Sequence, residues 1–546
     1  MKSKTFFVLP IIFSLLPLWP LFKSGIFFGH DTVSHIVRVA SFYESLREGH
    51  VVPRWSKDLN AGFGHPIFMF LYPLPNYLAS LFHFLGLGVV SSIKLVFGLS
   101  FIFSGIFAFL WLRELLGEKE ALVGSILYLF GPYRFVDMYV RAAFGECLAF
   151  AFVPLVLYFL HRLSKRGEYK FLLGGSLSLA GLILSHNAIA LMFMPLIFFY
   201  ALFLIWSEQK KRKLFFVLCS LFFVLGLSLS AFFWLPSLYE GKYTLRDIVI
   251  SPKEVLSRFP EARELFFPPL KIFGVERRGN NLSFYLGLPQ ILVCLFTPYL
   301  ILKLKKKRNV FWFFVLFCFF LYLSALLMLL GVSKPVWKTV TVLQKFQFPW
   351  RLLALTSFLP AIFGAFFAFV LKKDFLVWLL VLMAIFSTYP FWRPTGYLLQ
   401  NEQDLIENYI GTTDTGESAP RWSIRGIGER AKAPVEVIDG EAKTKILERI
   451  STRHVFEVEA KRRTRLVDNT LYFPGWQVFV DGKKVDVEFQ DPNYRGLITF
   501  FVPQGKHKIE VAFSETRFRF VSDLISVFGL GGLVFAGIIR KWIGLV

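Results

Sequence analysis

Little in this chain could close a fold covalently or hold a soft metal. Among its 546 residues are four cysteines, Cys147, Cys219, Cys294 and Cys318, and each falls inside an apolar run. They lack metal-ligand spacing and imply no disulfide framework. The nine histidines, among them His30, His35, His65 and His186, form no compact zinc motif. There is no ATP-binding motif, no internal repeat and no low-complexity tract. Acidic residues are also scarce, 38 Asp and Glu against 61 Lys and Arg, for a formal net charge of +23. In a soluble protein that excess points to nucleic acid. Here many basic residues stand in short loops between apolar runs, the pattern that orients membrane proteins, and no nucleic-acid partner is expected.

Apolar residues make up what those absences leave: 55% of the chain is hydrophobic and 67 residues are Phe. Apolar runs lie at 6–22, 93–112, 121–129, 144–161, 171–185, 188–206, 214–235, 286–302, 310–330, 352–371, 375–389 and 521–539. Many approach the roughly 20 residues that cross a bilayer. The strongly basic short loops are Lys2 with Lys4, 162–170, 210–213, 303–308, 372–373 and 540–541, and the positive-inside rule places all of them in the cytoplasm. One further apolar stretch, 66–87, would break that agreement by one crossing if it spanned. It is read instead as a helix on, or dipping into, the outer face, which suits Pro73, Pro75 and its aromatic content.

The expected fold is a polytopic α-helical membrane protein of about 12 spans with both termini cytoplasmic. The start has a basic tip and an apolar run but no small-residue cleavage site, so it reads as a retained first span. The run 121–129 is short unless it continues through Tyr133. The domain reading is a transmembrane domain over 1–392 with long external loops at 23–92 and 236–285, an extracytoplasmic β-rich domain over 393–517, and a final span over 518–546. Strands are expected at 455–458, 471–473, 476–480, 484–489, 497–502 and 508–513. Asp481-Gly482 is a hairpin signal and Gly505 marks a second turn. Together they suggest a small antiparallel β-sandwich on the outer face.

Polar groups gather on one side of this topology. Gly29-His30-Asp31-Thr32-Val33-Ser34-His35 follows the first run, and Asp31 precedes a plausible helix over 32–46. Arg134, Asp137, Arg141 and Glu146 lie between the third and fourth runs. His186 turns between the fifth and sixth. Glu240 and Tyr243 follow the seventh, and Trp350-Arg351 lead into the tenth. Each has a plain reading: Asp31 as a helix cap, Arg134, Asp137 and Arg141 as a salt-bridged loop, His186 as a helix-end cap, Trp350-Arg351 as an interfacial anchor. Their arrival at one face describes a cavity with a carboxylate and several cations. Ionisable groups at membrane depth are costly and face a cavity or a partner. Such a cavity suits transfer from a phosphate-linked donor, because guanidinium binds phosphate oxygens and a carboxylate can accept a hydroxyl proton.

A long external loop after the first span, opening on an acidic motif, resembles the GT-C superfamily of integral membrane glycosyltransferases. Gly29-His30-Asp31, Pro66-Ile67-Phe68-Met69-Phe70-Leu71-Tyr72-Pro73-Leu74, Tyr139-Val140-Arg141-Ala142-Ala143-Phe144-Gly145-Glu146, Ser185-His186-Asn187 and Gln347-Phe348-Pro349-Trp350-Arg351 resemble the bacterial membrane family labelled 6-pyruvoyl-tetrahydropterin synthase-related. Tyr472-Phe473-Pro474-Gly475-Trp476 through Asp481-Gly482 is similar to the C-terminal region of YfhO-like membrane proteins.

The resemblance implies a polyprenyl-phosphate sugar donor, a glycan, lipid or protein acceptor, and an active face outside a bacterial cytoplasmic membrane. It makes Asp31 the base, with Asp137 or Glu146 as a second acid. Arg351 and Arg141 would bind phosphate, Arg134 would join them in binding substrate or phosphate, and His35 and His186 would position substrate. No cofactor is required on this reading. Some members bind a divalent cation, which would want oxygen ligands, and no tight acidic pair is seen in the sequence. A non-catalytic transporter or flippase of lipid-linked glycans and an envelope scaffold are the alternatives.

Overall fold

A computed structural model describes residues 3–207, 212–268, 282–303 and 310–539. The expected basic positions Lys2, 210–211, 304–308 and 540–541, and part of the loop 236–285, lie outside the described residues. Among the described residues, eight helices are long and apolar enough to cross a membrane: Val89–Leu115, Phe144–Arg166, Asn187–Ser207, Arg212–Leu229, Phe311–Leu329, Pro349–Leu371, Asp374–Trp392 and Arg517–Ile538. Phe6–Phe22, Tyr169–Ser185 and Leu288–Lys303 are shorter apolar helices.

The remaining expected run forms Glu118–Leu129, a helix of 12 residues. At 1.5 Å per residue it is about 18 Å long, well short of the hydrocarbon core. Its shortness is tolerated because it lies inside the bundle, with every residue from Ala121 to Leu129 buried. At Gly124 an added Cβ would stand 2.6 Å from the Ala361 carbonyl oxygen, so the two backbones meet closely where only a small residue fits. The chain then continues through Pro132–Phe135 and a π-turn, Val136–Arg141. Such irregular backbone survives at membrane depth only where protein surrounds it.

Two boundaries differ from the sequence reading. The run 214–235 breaks at Ser230, whose hydroxyl donates back to the Gly226 carbonyl at 3.1 Å, and a second helix, Ala231–Glu240, follows. The stretch 66–87 gives two helices, Ile67–Phe70 and Leu74–Phe84. The second leaves Leu81 and Phe84 exposed while Pro75, Asn76, Ala79 and Ser80 are buried.

All strands near the C-terminus are antiparallel. One sheet orders Ala442–Ile450, Arg453–Ala460, Gly505–Phe513, Trp476–Val480 and Lys483–Val485; the other orders Val435–Asp439, Thr464–Leu471 and Leu497–Val502. Asp481-Gly482 joins Val480 to Lys483 with both residues at positive φ, 49° and 78°. That is the backbone a two-residue hairpin of matching twist requires. The sandwich begins at Val435; the segment before it wraps the membrane domain. Tyr397–Leu398 pairs with Ile26–Phe27, and the Glu402 carboxylate accepts from the amides of Val89 and Val90 at 3.1 and 2.9 Å, at the positive end of that helix.

The sandwich core is continuous with the first long loop. The Trp55 and Trp476 rings meet edge to face at 5.5 Å, and the Leu471 amide donates to the Phe63 carbonyl at 2.8 Å. The last helix is pinned beside it. Arg54 donates to Asp523 at 2.6 Å and to the Phe232 carbonyl at 2.7 Å, while Arg519 donates to Glu240 at 2.9 Å.

Candidate active site

Thr32–Arg47 is the helix expected after the acidic motif. Asp31 takes its cap position, yet its side chain makes no capping hydrogen bond and is exposed. Thr32 holds this corner instead, its hydroxyl donating to the Phe27 carbonyl and accepting from the Gly29 amide, both at 3.0 Å. The backbone of the motif lies on the π-turn: His30 and Asp31 amides donate to the Val140 and Arg141 carbonyls at 3.0 and 3.1 Å. The Asp31 carboxylate is thereby left free at a fixed point.

His35 is buried beneath it and clamps the same turn. Arg38 Nη1 lies 3.2 Å from His35 Nδ1, and an arginine can only donate, so Nδ1 accepts. The proton then sits on Nε2, which donates to the Ala142 carbonyl at 2.8 Å. Burial, followed by the Arg38 charge, pushes the His35 pKa well below its usual value, in line with a neutral ring. Arg38 itself donates to the Thr413 carbonyl at 2.5 Å, tying the helix to the segment before the sandwich.

The inner half of the site is an ion network. Glu146, in the first turn of Phe144–Arg166, accepts at Oε1 from Arg141 Nη2 and Arg351 Nε, both at 2.8 Å. Tyr133 donates to Oε2 at 3.2 Å and accepts from Arg141 Nη1 at 3.1 Å. Asp137 pairs with Arg141 one helical turn away, and its Oδ2 makes no hydrogen bond among the described residues. His186 Nε2 stands 3.8 Å from Glu146 Oε1, while its Nδ1 accepts from the Ile189 amide and so caps the next helix. The Arg141 guanidinium lies over the Trp350 ring, 4.6 Å from its centre. Arg351 Nη1 donates to the Phe346 carbonyl at 2.9 Å; its Nη2 has no hydrogen-bond partner among the described residues. Asp137, Arg141, Glu146, His186 and Arg351 are all buried.

Arg134 is not part of this network. It is buried among Phe101, Tyr128 and Phe150, with Nη2 donating to Ser104 at 2.8 Å. Glu240 also stands apart, with Arg519. The sequence reading overlooked Arg38 and gave Tyr133 no role. The i,i+3 spacing of His35 and Arg38, like the i,i+4 spacing of Asp137 and Arg141, is a signal that could have drawn attention to such pairs. No group of three or more His, Cys, Asp or Glu stands close enough to hold a metal ion among the described residues.

A bundle of apolar helices around buried ion pairs, with an antiparallel sandwich near its C-terminus, defines a polytopic membrane protein. The chain belongs to the 6-pyruvoyl-tetrahydropterin synthase related family of membrane proteins, whose model matches residues 68–393. The match takes in Arg141, Glu146, His186 and Arg351 and leaves out Asp31 and the sandwich. An uncharacterized protein of Lactococcus lactis subsp. cremoris (strain MG1363) is 26% identical over 250 residues, 44% of this chain; the chain covers 41% of that protein's length. Among solved structures, the arabinofuranosyltransferase AftD from Mycobacteria is 13% identical with a TM-score of 0.45, covering 71% of this chain and 26% of that one. The Archaeoglobus fulgidus oligosaccharyltransferase in its apo form is 13% identical with a TM-score of 0.39, covering 72% and 55%. Likeness of that degree assigns no activity.

Proposed function

We propose that this chain is a membrane glycosyltransferase that moves a sugar from a polyprenyl-phosphate donor to an acceptor hydroxyl or amine, on the extracytoplasmic face of a bacterial cytoplasmic membrane. One observation carries the reading. The free Asp31 carboxylate is fixed through its own amide to Arg141, whose guanidinium shares Glu146 with Arg351. A general base and a cationic cluster thus stand on one rigid support. Buried ion networks are costly compared with apolar packing, so their presence within a helical membrane bundle favours a functional role.

In this scheme Asp31 takes the proton from the acceptor as the acceptor attacks the anomeric carbon. The bond from that carbon to the phosphate oxygen breaks, and the lipid phosphate leaves with the electron pair. Arg351, through Nη2, stabilises the negative charge that develops. Arg141 has Nη1 and Nη2 engaged with Asp137, Tyr133 and Glu146, so its role is to hold Glu146 and Arg351 in place. His35 fixes the loop that carries the base. No step requires a metal ion.

Two helices support this orientation. Phe144–Arg166 carries Glu146 in its first turn and Lys165 and Arg166 in its last. The helix Leu353–Leu371 starts just after Arg351 and ends at Lys372. The site therefore lies opposite the basic ends, which the positive-inside rule assigns to the cytoplasm. The test is transfer from a labelled lipid-linked sugar in membranes containing Asp31→Asn. Loss of transfer with normal protein levels is expected; undiminished transfer would remove Asp31 from the reaction.

A further inference from the structure

Tyr72 is a side chain to which no role has been given above. It lies in the turn between Ile67–Phe70 and Leu74–Phe84, directly before Pro73, which restricts its backbone to extended conformations. Its ring leans on His186, with centroids 4.7 Å apart. The opposite wall is Gly145, where an added Cβ would run into the Tyr72 ring and the Ser185 carbonyl. The phenol fills a notch that only glycine leaves open, and His186 is itself held by the Ile189 amide and faces Glu146.

The hydroxyl is unspent. Other tyrosines of the bundle use theirs internally: Tyr128 on the Phe150 carbonyl at 2.7 Å, Tyr133 on Glu146, Tyr139 on the Pro17 carbonyl at 2.5 Å. Tyr72 is half-buried and makes no hydrogen bond among the described residues. Yet the charges of Arg38, Asp31, Glu146 and Arg351 all reach it. Its ring rests on His186, which faces Glu146, and on Gly145, four residues after the Arg141 carbonyl that holds the Asp31 amide.

We propose that Tyr72 is a substrate-contacting residue whose hydroxyl donates a hydrogen bond to the phosphate of the lipid-linked donor, between Asp31 and Arg351. This rests on the glycosyltransferase reading and deepens it. Burial pushes the phenol up to about 12, so it keeps its proton, and remains a donor, at neutral pH. A neutral donor adds a contact to an anion without adding another charge to a site already crowded with them.

The test uses the full chain in lipid nanodiscs and binding of a polyprenyl phosphate, with inorganic phosphate as competitor. Tyr72→Phe keeps the ring on His186 and is expected to unfold at the wild-type temperature while Kd rises about ten- to a hundredfold, the range for one hydrogen bond to a charged group. Tyr77→Phe, on the same segment, is expected to bind as wild type. Should Tyr72→Phe misfold, replacement of Tyr72 by a fluorotyrosine keeps the shape and lowers the phenol pKa. The pH above which binding is lost then moves down; no movement overturns the assignment. Wild-type affinity in Tyr72→Phe overturns it too and leaves the function standing if Asp31→Asn still loses transfer. Equal competition by inorganic phosphate overturns the lipid-linked source, and no binding of polyprenyl phosphate by the wild type overturns both readings.

Discussion

Glu146 and Arg351 are 205 residues apart in sequence and 2.8 Å apart in space, with Arg351 Nε donating to Glu146 Oε1. Arg141 donates to the same oxygen. One carboxylate therefore pairs with both guanidinium groups, while Asp137 pairs with Arg141 alone.

Substituting Glu146→Gln strands the buried Arg351 and leaves Arg141 with Asp137 as its one carboxylate. Removing one partner of a buried pair costs about 3–5 kcal/mol. We expect a clear drop in unfolding temperature in detergent and loss of transfer. Arg351→Lys keeps the charge and a donor for Glu146 but loses the planar fork. It should keep most of the stability while transfer falls about tenfold or more, as expected for a lost charge-assisted contact. A Glu146→Gln protein as stable as wild type would mean that the network is not load-carrying in the fold.

A pH dependence follows from His35. Its folded-state pKa lies well below the ordinary 6.5, through burial first and Arg38 second. The unfolded chain takes up a proton near 6.5 that the folded chain refuses. This contribution is therefore unfavourable to folding below that value: stability is full above it and falls as pH drops through it, by up to about 1.4 kcal/mol per pH unit. His35→Gln removes this slope. The gap in unfolding temperature between wild type and variant should narrow from about pH 7.5 to about pH 5.5. A gap constant over that range would show that folding leaves the His35 pKa unshifted, and a gap that widens toward low pH would show that the folded protein holds His35 charged.

Sidedness can be read with thiol labelling. All four native cysteines are buried, which leaves a quiet background. His30 is exposed beside Asp31, and Lys373 is exposed at the far end of the helix that begins after Arg351. A membrane-impermeant reagent should label His30→Cys in intact cells and Lys373→Cys only after permeabilisation. The reverse pattern would put the site in the cytoplasm.

The helices were legible because length and apolar content impose them: each expected run is helical among the described residues. Their limits were less so. Glu118–Leu129 is short for reasons that lie in its neighbours rather than in its own residues. In the sandwich, Asp481-Gly482 announced its hairpin, whereas Ala442–Ile450 was missed because, at the sheet edge, none of its residues is buried and no apolar alternation results. Thr464–Leu471 was seen only at its end, since the strand buries Asp468 and Asn469, where an apolar pattern was sought. At the site, residue types pointed to the right neighbourhood but not to the pairing. Arg134 and Arg141 look equivalent in sequence; one sits among aromatic rings and the other on Glu146. Only the fold distinguishes them.

The short central helix also bears on how the molecule is made. From Ala121 to Leu129 every residue of this helix is buried in protein, so the bilayer cannot serve as its lasting solvent. A helix it meets closely at Gly124, Leu353–Leu371, leaves the ribosome long after it. Until that later segment arrives, the earlier one needs a temporary shelter, and Arg351, at the head of the same late helix, reaches Glu146 only then. Insertion order thus sets when the charges can balance, and a chain interrupted before that helix would hold half a site.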